Sequence, residues 1–270
     1  MPDRSTHWFV INLDRSPDRL ALIEESFAAC GLPFTRVPAV DGRALAAPPE
    51  GLDPDRYRRT HGRDVQAGEI GCYFSHLKVF DAFLATPAEF AMVLEDDVRV
   101  TPEVCRLVDD LTAPGAPDDW DLVKFEAHHK SVPLALRPLR GPYRLCAMLT
   151  RSTGSAAYLV NRTAAAILRE HLLPMVVPYD HAFDRGWAAG IRVRTIVPFP
   201  IARAEFKTTV AVTTFRKLPP WQKGPTLLWR AGTETMRVLS AFHSWARPTR
   251  RFPWPGTRRP RAAQPRPTST

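Results

Sequence analysis

The feature that most constrains the fold is the alternation of short apolar runs with helical segments through the first 200 residues. The runs are four to eight residues long and continuous, as expected for strands buried on both faces, whereas the segments between them repeat apolar residues at helical spacing. The predicted strands are residues 7–13, 34–40, 90–94, 121–125, 155–160 and 191–197, and the predicted helices are 17–30, 67–85 and 162–173. This order predicts an α/β sandwich, in which the first strand, helix and strand form a parallel pair with a right-handed connection.

Local signals add detail to this outline. Ser16 and Pro17 predict a helix start with a Ser cap, and Gly31 predicts its end. Thr101 followed by Pro102 opens another helix, and residues 133–150 are interrupted by a Gly-Pro pair, which predicts a hairpin. Residues 46–64 are rich in Pro, Arg and Gly with little periodicity, and we predict a surface loop there.

The positive charge of the chain is concentrated at its C-terminal end. Of the 37 Lys and Arg residues, 12 lie at 216–270 with a single acid, Glu234, so residues 1–215 carry 25 basic and 27 acidic side chains. We therefore predict a near-neutral domain at 1–215, a basic amphipathic segment at 216–246 and a Pro/Arg-rich tail at 247–270 that lacks folded structure. Such a basic end favours an anionic partner.

Residues 227–245 could form a helix with basic residues among its apolar ones. Two interpretations are open: the helix lies on an anionic membrane, or its apolar stripe docks on the domain. Nucleic acid is not an expected partner, because the basic end has no interleaved aromatic platform or recognition motif. The apolar residues are Leu227, Leu228, Met236, Leu239, Phe242 and Trp245.

Several features bear on location. The sequence has no run of roughly 18 apolar residues, which a spanning helix needs. Its first apolar run is too short for a secretory signal, and its four cysteines lie more than thirty residues apart in sequence, which favours a reducing compartment. We therefore expect a cytoplasmic protein, bound peripherally to the inner face of the cytoplasmic membrane if the basic segment acts as a membrane contact.

The most informative motif for function is the acidic triplet Glu95-Asp96-Asp97 at the end of a predicted buried strand. Adjacent like charges repel, and a cation would relieve that cost. Residues 95 and 97 would point the same way from an extended chain, so both could bind Mg²⁺ or Mn²⁺, which would bind the phosphates of a nucleotide-sugar. A solvated acidic turn is the alternative interpretation.

Two other segments are predicted to meet the same edge of the sheet. Gly68 and Gly71 stand at a helix start, where backbone amides can bind phosphate, and Asn12 leads a polar strand-to-helix turn. Together with the triplet, these segments resemble glycosyltransferase family 25, which includes lipooligosaccharide galactosyltransferases. The resemblance covers about residues 7–200, and its motifs lie at 9–19, 38–42, 68–76, 93–97, 154–160 and 178–180.

The resemblance implies a GT-A type, Rossmann-like mixed sheet flanked by helices, a UDP-hexose donor (galactose or glucose), a glycan or glycolipid acceptor, and inversion at the anomeric carbon. It also implies that Glu95 and Asp97 bind the metal and that Asp96 contacts the ribose or sugar of the donor. The triplet departs from the strict Asp-x-Asp of many GT-A enzymes. The further residues implied near the donor or acceptor are Asn12, Arg15, Arg19, Gly68, Glu69, Ser75 and His76.

An inverting transfer needs a base for the acceptor hydroxyl. Asp180 is the first candidate, with Glu126 and Asp184 as competitors, and Asp180 could instead cap a helix. Two other functions remain open at this point: a metal-dependent phosphoester hydrolase, and a non-catalytic protein that binds a glycan or an anionic surface.

Overall fold

A computed structural model describes residues 5–128, 131–201 and 219–253. Its centre is one mixed eight-stranded sheet with the strand order β2-β1-β3-β7-β4-β8-β6-β5. The pairs β1/β2, β1/β3 and β4/β8 are parallel, and the other neighbours are antiparallel. The strands are β1 Thr6–Asn12, β2 Thr35–Pro38, β3 Phe90–Glu95, β4 Leu122–Lys124, β5 Pro133–Pro138, β6 Arg144–Met148, β7 Ala157–Asn161 and β8 Val193–Val197.

Helices cover both faces of the sheet. Residues of β1 alternate between two core clusters: Phe9 packs with α3 and α5, whereas Trp8 packs with α1 and α4. This burial on both faces explains why the strands read as continuous apolar runs. The helices are α1 Pro17–Cys30, α2 Pro54–His61, α3 Ala67–Leu84, α4 Pro102–Thr112, α5 Arg162–His171, α6 Tyr179–Phe183, α7 Gly186–Ala189 and α8 Gly224–Ala246, with a 3-10 turn at Pro220–Gln222.

The predicted fold class is confirmed: the chain forms a mixed α/β sheet flanked by helices, and a basic helix follows at its C-terminal end. Each predicted strand and helix is present with its ends shifted by a few residues, and the predicted hairpin is β5 with β6. The first strand-helix-strand unit is parallel, as expected.

Two local predictions were wrong. The Ser16 side chain makes no capping hydrogen bond; instead the Asn12 side-chain amide donates to the Ser16 carbonyl at 3.0 Å. Residues 46–64 are not all loop, because they contain α2, which Asp53 caps by accepting from the Arg56 amide at 2.9 Å. Since α2 buries little beyond Tyr57 and one threonine, its sequence lacks the apolar repeat that would have revealed it.

The C-terminal helix α8 packs against the domain with its polar face. Arg237, 4% exposed, donates to Asp184 at 2.5 Å. Thr226 donates to the Arg59 carbonyl at 2.7 Å, and Ser244 lies 3.1 Å from a guanidinium nitrogen of Arg194. These contacts hold α8 along its length.

Five large apolar side chains of α8 face the other way. The interpretation in which they dock on the domain was wrong, because the docking face is polar. Each of the following side chains is more than half exposed: Leu227, Leu228, Leu239, Phe242 and Trp245. Among residues 5–128, 131–201 and 219–253, every helix is too short or too polar to cross a bilayer.

The chain continues along the sheet beyond α8. The Pro248 and Thr249 carbonyls accept from Arg194 and Arg192, and Arg251 pairs with Asp121 at 3.0 Å. Residues 247–253 therefore have defined contacts, contrary to the prediction of a tail without structure from 247. Residues 254–270 and the predicted boundary at 215 lie outside the described residues.

Candidate active site

The polar residues predicted from the sequence meet at one edge of the sheet. Strands β1, β2, β3 and β4 all end there, because β7 runs antiparallel to both β3 and β4. In open α/β sheets ligands bind at the carboxyl ends of the strands, and this edge therefore positions the candidate site.

A cleft with a cavity volume of about 180 Å³ opens at this edge. Asn12, Glu69 and Asp97 are not part of its lining, although all three were predicted at the donor or metal site. The lining also includes Asp41, Arg43 and Cys72, which were not among the predicted site residues. The seven predicted residues on the lining are Arg15, Arg19, Gly68, Ser75, His76, Glu95 and Asp96.

Close backbone packing shapes one wall of the cleft. A Cβ on Gly42 would lie 1.8 Å from the Ala67 carbonyl oxygen, and one on Gly71 would lie 2.5 Å from that of Val40. Ser75 fixes the same loop, because its hydroxyl accepts from the Val40 amide at 2.8 Å. The loop after β2 is therefore pressed against the first turns of α3, which places the start of α3 on the cleft.

Glu69 has a different place from the one predicted. Its carboxylate accepts from the Gln66 amide at 3.0 Å and pairs with Arg63, so it caps the start of α3. This arrangement is a capping box and uses the carboxylate away from the cleft lining.

The members of the acidic triplet have different surroundings. Strand β3 ends at Glu95, and residues 96 and 97 lie in a turn, so the side-chain alternation of an extended chain does not continue past Glu95. Asp96, 9% exposed, accepts from the Asn12 amide at 2.8 Å and from Arg19 at 3.0 Å. Part of the like-charge cost is therefore offset by Arg19 and Asn12.

Glu95 and His76 form the floor of the cleft. The Ser155 hydroxyl donates to Glu95 Oε1 at 2.8 Å, and His76 Nε2 lies 3.4 Å from the same oxygen. His76 is fully buried, and its Nδ1 lies 3.0 Å from the Tyr158 hydroxyl, which in turn lies 3.0 Å from the Tyr179 hydroxyl. Burial raises the pKa of both phenols, so they stay neutral.

Arginines and carboxylates line the cleft in equal number, three of each. Arg15 pairs with Asp41 at the mouth, so the loops after β1 and β2 are linked there. Arg19 and Arg43 lie on the same lining. Guanidinium groups bind phosphate oxygens in pairs, and three of them on one cleft suit a diphosphate.

A second cluster of ionisable groups lies at the end of β4 and on α6. Lys124 is fully buried 3.8 Å from Asp184, and burial lowers the pKa of its ammonium. Asp180 lies in the first turn of α6, and Pro178 rather than Asp180 is the N-cap residue. Burial raises the pKa of Asp180, although the Lys124 charge acts in the opposite direction.

Glu126, 4% exposed, completes this cluster with its Oε1 3.6 Å from His128 Nδ1. Residues 152–156 connect the two clusters: Ser155 bonds to Glu95, and Gly154, at φ +126°, leaves room for the Glu126 carboxylate. The aromatic ring of Tyr179 also links them, because it stacks on His76 at 4.0 Å and directly precedes Asp180. The arrangement thus joins the arginine-containing cleft to Asp180, a carboxylate of raised pKa.

Sequence reasoning could have found Cys72, since it stands four residues before His76 and residues at that spacing share a helix face. The roles of Tyr158 and Tyr179 carry no comparable local signal, because they reach His76 from β7 and α6.

Comparisons with known proteins agree in pointing to one family. The model of "Glycosyltransferase family 25 (LPS biosynthesis protein)" matches residues 5–183. A glycosyltransferase 25 family member of Aedes aegypti is 34% identical over 134 residues, which cover 44% of this chain and 21% of that protein. Procollagen galactosyltransferase 1 of Danio rerio is 29% identical over 191 residues, which cover 64% of this chain and 30% of that protein.

The chain thus spans about a fifth to a third of the length of these relatives. Among solved structures, a glycosyltransferase involved in the glycosylation of the major capsid of PBCV-1 matches with a TM-score of 0.32 and 12% identity, covering 62% of this chain and 66% of that one.

Proposed function

Because the chain belongs to glycosyltransferase family 25, we propose that it transfers galactose or glucose from a UDP-sugar to a lipooligosaccharide or another cell-surface glycan, with inversion at the anomeric carbon. The observation that carries the proposal is the cleft at the carboxyl ends of β1, β2 and β3, where three arginines face a set of carboxylates. A nucleoside diphosphate matches both charges, since guanidinium groups bind its phosphates and acidic groups bind its ribose hydroxyls or a counter-ion.

In this proposal Arg15, Arg19 and Arg43 bind the diphosphate, and Gly68 lets the backbone at the start of α3 approach it. Asn12 does not touch the donor in this proposal; its side-chain amide donates to Asp96 and orients it, and Asp96 is the residue proposed to contact the ribose or sugar. Glu69 supports the same wall by capping α3.

The proposed metal ion is Mn²⁺ or Mg²⁺ at Glu95 and Asp97. The support for this ion rests on the oxygen ligand Glu95, which lies on the cleft at the end of β3, whereas Asp97 lies in the following turn and is not part of the cleft lining. When bound, such an ion supplies positive charge that stabilises the departing diphosphate.

Asp180 is the proposed base that takes the proton of the acceptor hydroxyl, and Glu126 is the second candidate. A base works best when its pKa lies near the working pH, and burial shifts the Asp180 pKa in that direction. The neighbouring Tyr179 stacks on His76 of the donor cleft, which supports a place for Asp180 beside the reacting sugar.

The decisive experiment is a transfer assay with purified protein, UDP-galactose or UDP-glucose, and glycan acceptors. We expect one of these donors to be consumed only when an acceptor is present, and Asp180→Asn to reduce the transfer rate by about 10²–10⁴-fold. Phosphate release from the nucleotide without an acceptor would instead identify a hydrolase. If UDP with Mn²⁺ fails to raise the melting temperature, the proposed donor site is refuted.

We further propose that α8 holds the enzyme at an anionic membrane, at the inner face of the cytoplasmic membrane. The support is its orientation: its polar face docks on the domain, and Leu228, Phe242 and Trp245 are 77%, 53% and 60% exposed on the other face. Basic residues flank this face, and Arg230 and Arg247 are exposed. Apolar side chains with flanking positive charge are typical of helices that lie in a membrane interface.

Co-sedimentation with vesicles of phosphatidylglycerol and phosphatidylcholine tests this orientation. We expect the protein to bind, to dissociate as salt is raised, and to lose binding when Phe242 and Trp245 are both replaced by Ser. Val132→Ser is the matched control, because Val132 is equally exposed, at 53%, on another part of the surface. Equal loss in both variants, or none in either, would contradict the proposal.

A further inference from the structure

The cleft contains a group of three side chains with the chemistry of a softer metal site. Cys72 Sγ, a His76 ring nitrogen and a Glu95 carboxylate oxygen all lie within 4.8 Å of one another. Cys72 and His76 stand one turn apart on α3, so their side chains share a face, and Glu95 meets them from the end of β3.

The imidazole is already held in the orientation of a ligand. His76 Nδ1 lies 3.0 Å from the Tyr158 hydroxyl, and the ring stacks on Tyr179 with an interplanar angle of 2°. These contacts leave Nε2 directed at Glu95, whose Oε1 also accepts from Ser155. A histidine that ligates a metal almost always has its other nitrogen fixed by such a hydrogen bond.

The ligand set and spacing select the ion. With metal–ligand bonds of about 2.0–2.1 Å, neighbouring tetrahedral ligands stand about 3.3 Å apart. His76 Nε2 and Glu95 Oε1 are 3.4 Å apart, and the Cys72 sulfur lies within 4.8 Å of a ligand atom of each residue. Sulfur and imidazole ligands favour Zn²⁺ over Mg²⁺ or Mn²⁺, which prefer oxygen.

We propose that Cys72, His76 and Glu95 bind a Zn²⁺-class ion through one thiolate, one imidazole and one carboxylate, with a fourth position open to the cleft. All three residues line the cleft, so the open position faces the space that a diphosphate would enter. Three protein ligands with one open position is the arrangement of catalytic rather than structural zinc sites.

The site has a regulatory consequence that rests on the proposed function. Glu95 serves both the softer site and the proposed Mn²⁺ or Mg²⁺ site, so the two ions compete for its carboxylate. Zn²⁺ therefore inhibits transfer supported by Mn²⁺, and raising the Mn²⁺ concentration relieves the inhibition.

Direct titration with the metal alone tests the binding. Metal-free full-length protein receives Co²⁺, which gives a thiolate-to-metal absorption band when sulfur is a ligand, and then Zn²⁺ to displace it. We expect one equivalent of Co²⁺ to produce the band and one of Zn²⁺ to abolish it. Cys72→Ser should remove the band and weaken Zn²⁺ binding at least about tenfold, whereas Cys30→Ser, a free cysteine on α1, should change neither.

Three results would overturn the proposal: no band in the parent protein, an unchanged band in Cys72→Ser, or loss of the band in Cys30→Ser. Circular dichroism melting checks that both variants fold, and Cys72→Ala provides a second replacement if Ser alters the helix. The readout is separate from catalysis. Zinc binding without hexose transfer would refute only the proposed function, and transfer without zinc binding would refute only this site.

Discussion

Replacing Arg237 by Met tests whether the polar face of α8 docks on the domain. Arg237 is 4% exposed, donates to Asp184 at 2.5 Å, and lies with its guanidinium carbon 5.2 Å from the centre of the Trp187 ring. Asp184 is itself 5% exposed, and its other charged neighbour, Lys124, is 3.8 Å away. Methionine keeps most of the apolar stem and removes the charge.

The size of the effect follows from burial. Removing one partner of a buried ion pair costs about 3–5 kcal/mol, because the remaining charge is left without compensation. Lys124 still compensates Asp184 in part, so we expect the lower end, about 3 kcal/mol. Arg230 on the same helix is exposed and makes one hydrogen bond, to the His61 carbonyl, so Arg230→Met should cost under about 0.5 kcal/mol.

Equilibrium unfolding in urea, followed by tryptophan fluorescence, gives both free energies of unfolding. Trp187 of the domain contacts Arg237 of the helix, and Trp229 of the helix contacts Arg185 of the domain, so both tryptophans report on its detachment. If Arg237→Met costs no more than Arg230→Met, Arg237 is not in a buried ion pair, and the outward direction of the apolar face would lose its support.

Three further predictions concern the base, a buried ion pair and the cleft wall. Asp180→Asn should reduce transfer by about 10²–10⁴-fold with no loss of stability, because burial disfavours the charge of this side chain. In the parent protein, the pH–rate profile should show the rate falling with decreasing pH through a pKa above that of an ordinary Asp. An unchanged rate in Asp180→Asn would exclude this base. For Asp121, burial raises the pKa, but the hydrogen bonds and charge of Arg192 outweigh burial and hold the pKa at about 2. The carboxylate should therefore contribute about 2 kcal/mol to the free energy of unfolding above pH ~4, and this contribution is lost as the pH falls towards 2. Urea unfolding across this range should show a free energy of unfolding that depends less on pH for Asp121→Asn than for the parent protein. Gly42→Ala would place a Cβ 1.8 Å from a backbone oxygen of α3, so it should lower the free energy of unfolding by at least about 1–3 kcal/mol and weaken UDP binding. Gly232→Ala, with open space around it on α8, should instead stabilise the protein by about 0.5–1 kcal/mol. Equal melting temperatures in the two variants would contradict the packing of the cleft wall.

Much of the fold followed from the sequence because its signals are local. The apolar runs that became β1 and β3 are buried on both faces, and short continuous apolar runs are typical of strands inside a covered sheet. Helix α2 was missed for the converse reason: its exposed arginines carry no periodic apolar signal, and its buried side chains are Tyr57 and Thr60.

The edge of the sheet that holds the site was also predictable, because parallel strands end together and the acidic triplet follows one of them. The roles of individual carboxylates were not. Asp96 meets Arg19 across 77 residues of sequence, and Glu69 turns to Arg63 instead of the cleft. Such partners are chosen by the packing of distant elements.

The sequence by itself determined the α/β alternation and the edge where chemistry is expected, because strand burial and helical spacing are local patterns. The order of its motifs indicated the family, and that resemblance implied the mixed sheet. The tertiary structure alone decided which face of α8 points outward and that Cys72, His76 and Glu95 converge. The physical reason is that an amphipathic pattern specifies two faces without specifying their neighbours, and ligand atoms from a helix and a strand come within bonding range only once the sheet has fixed both.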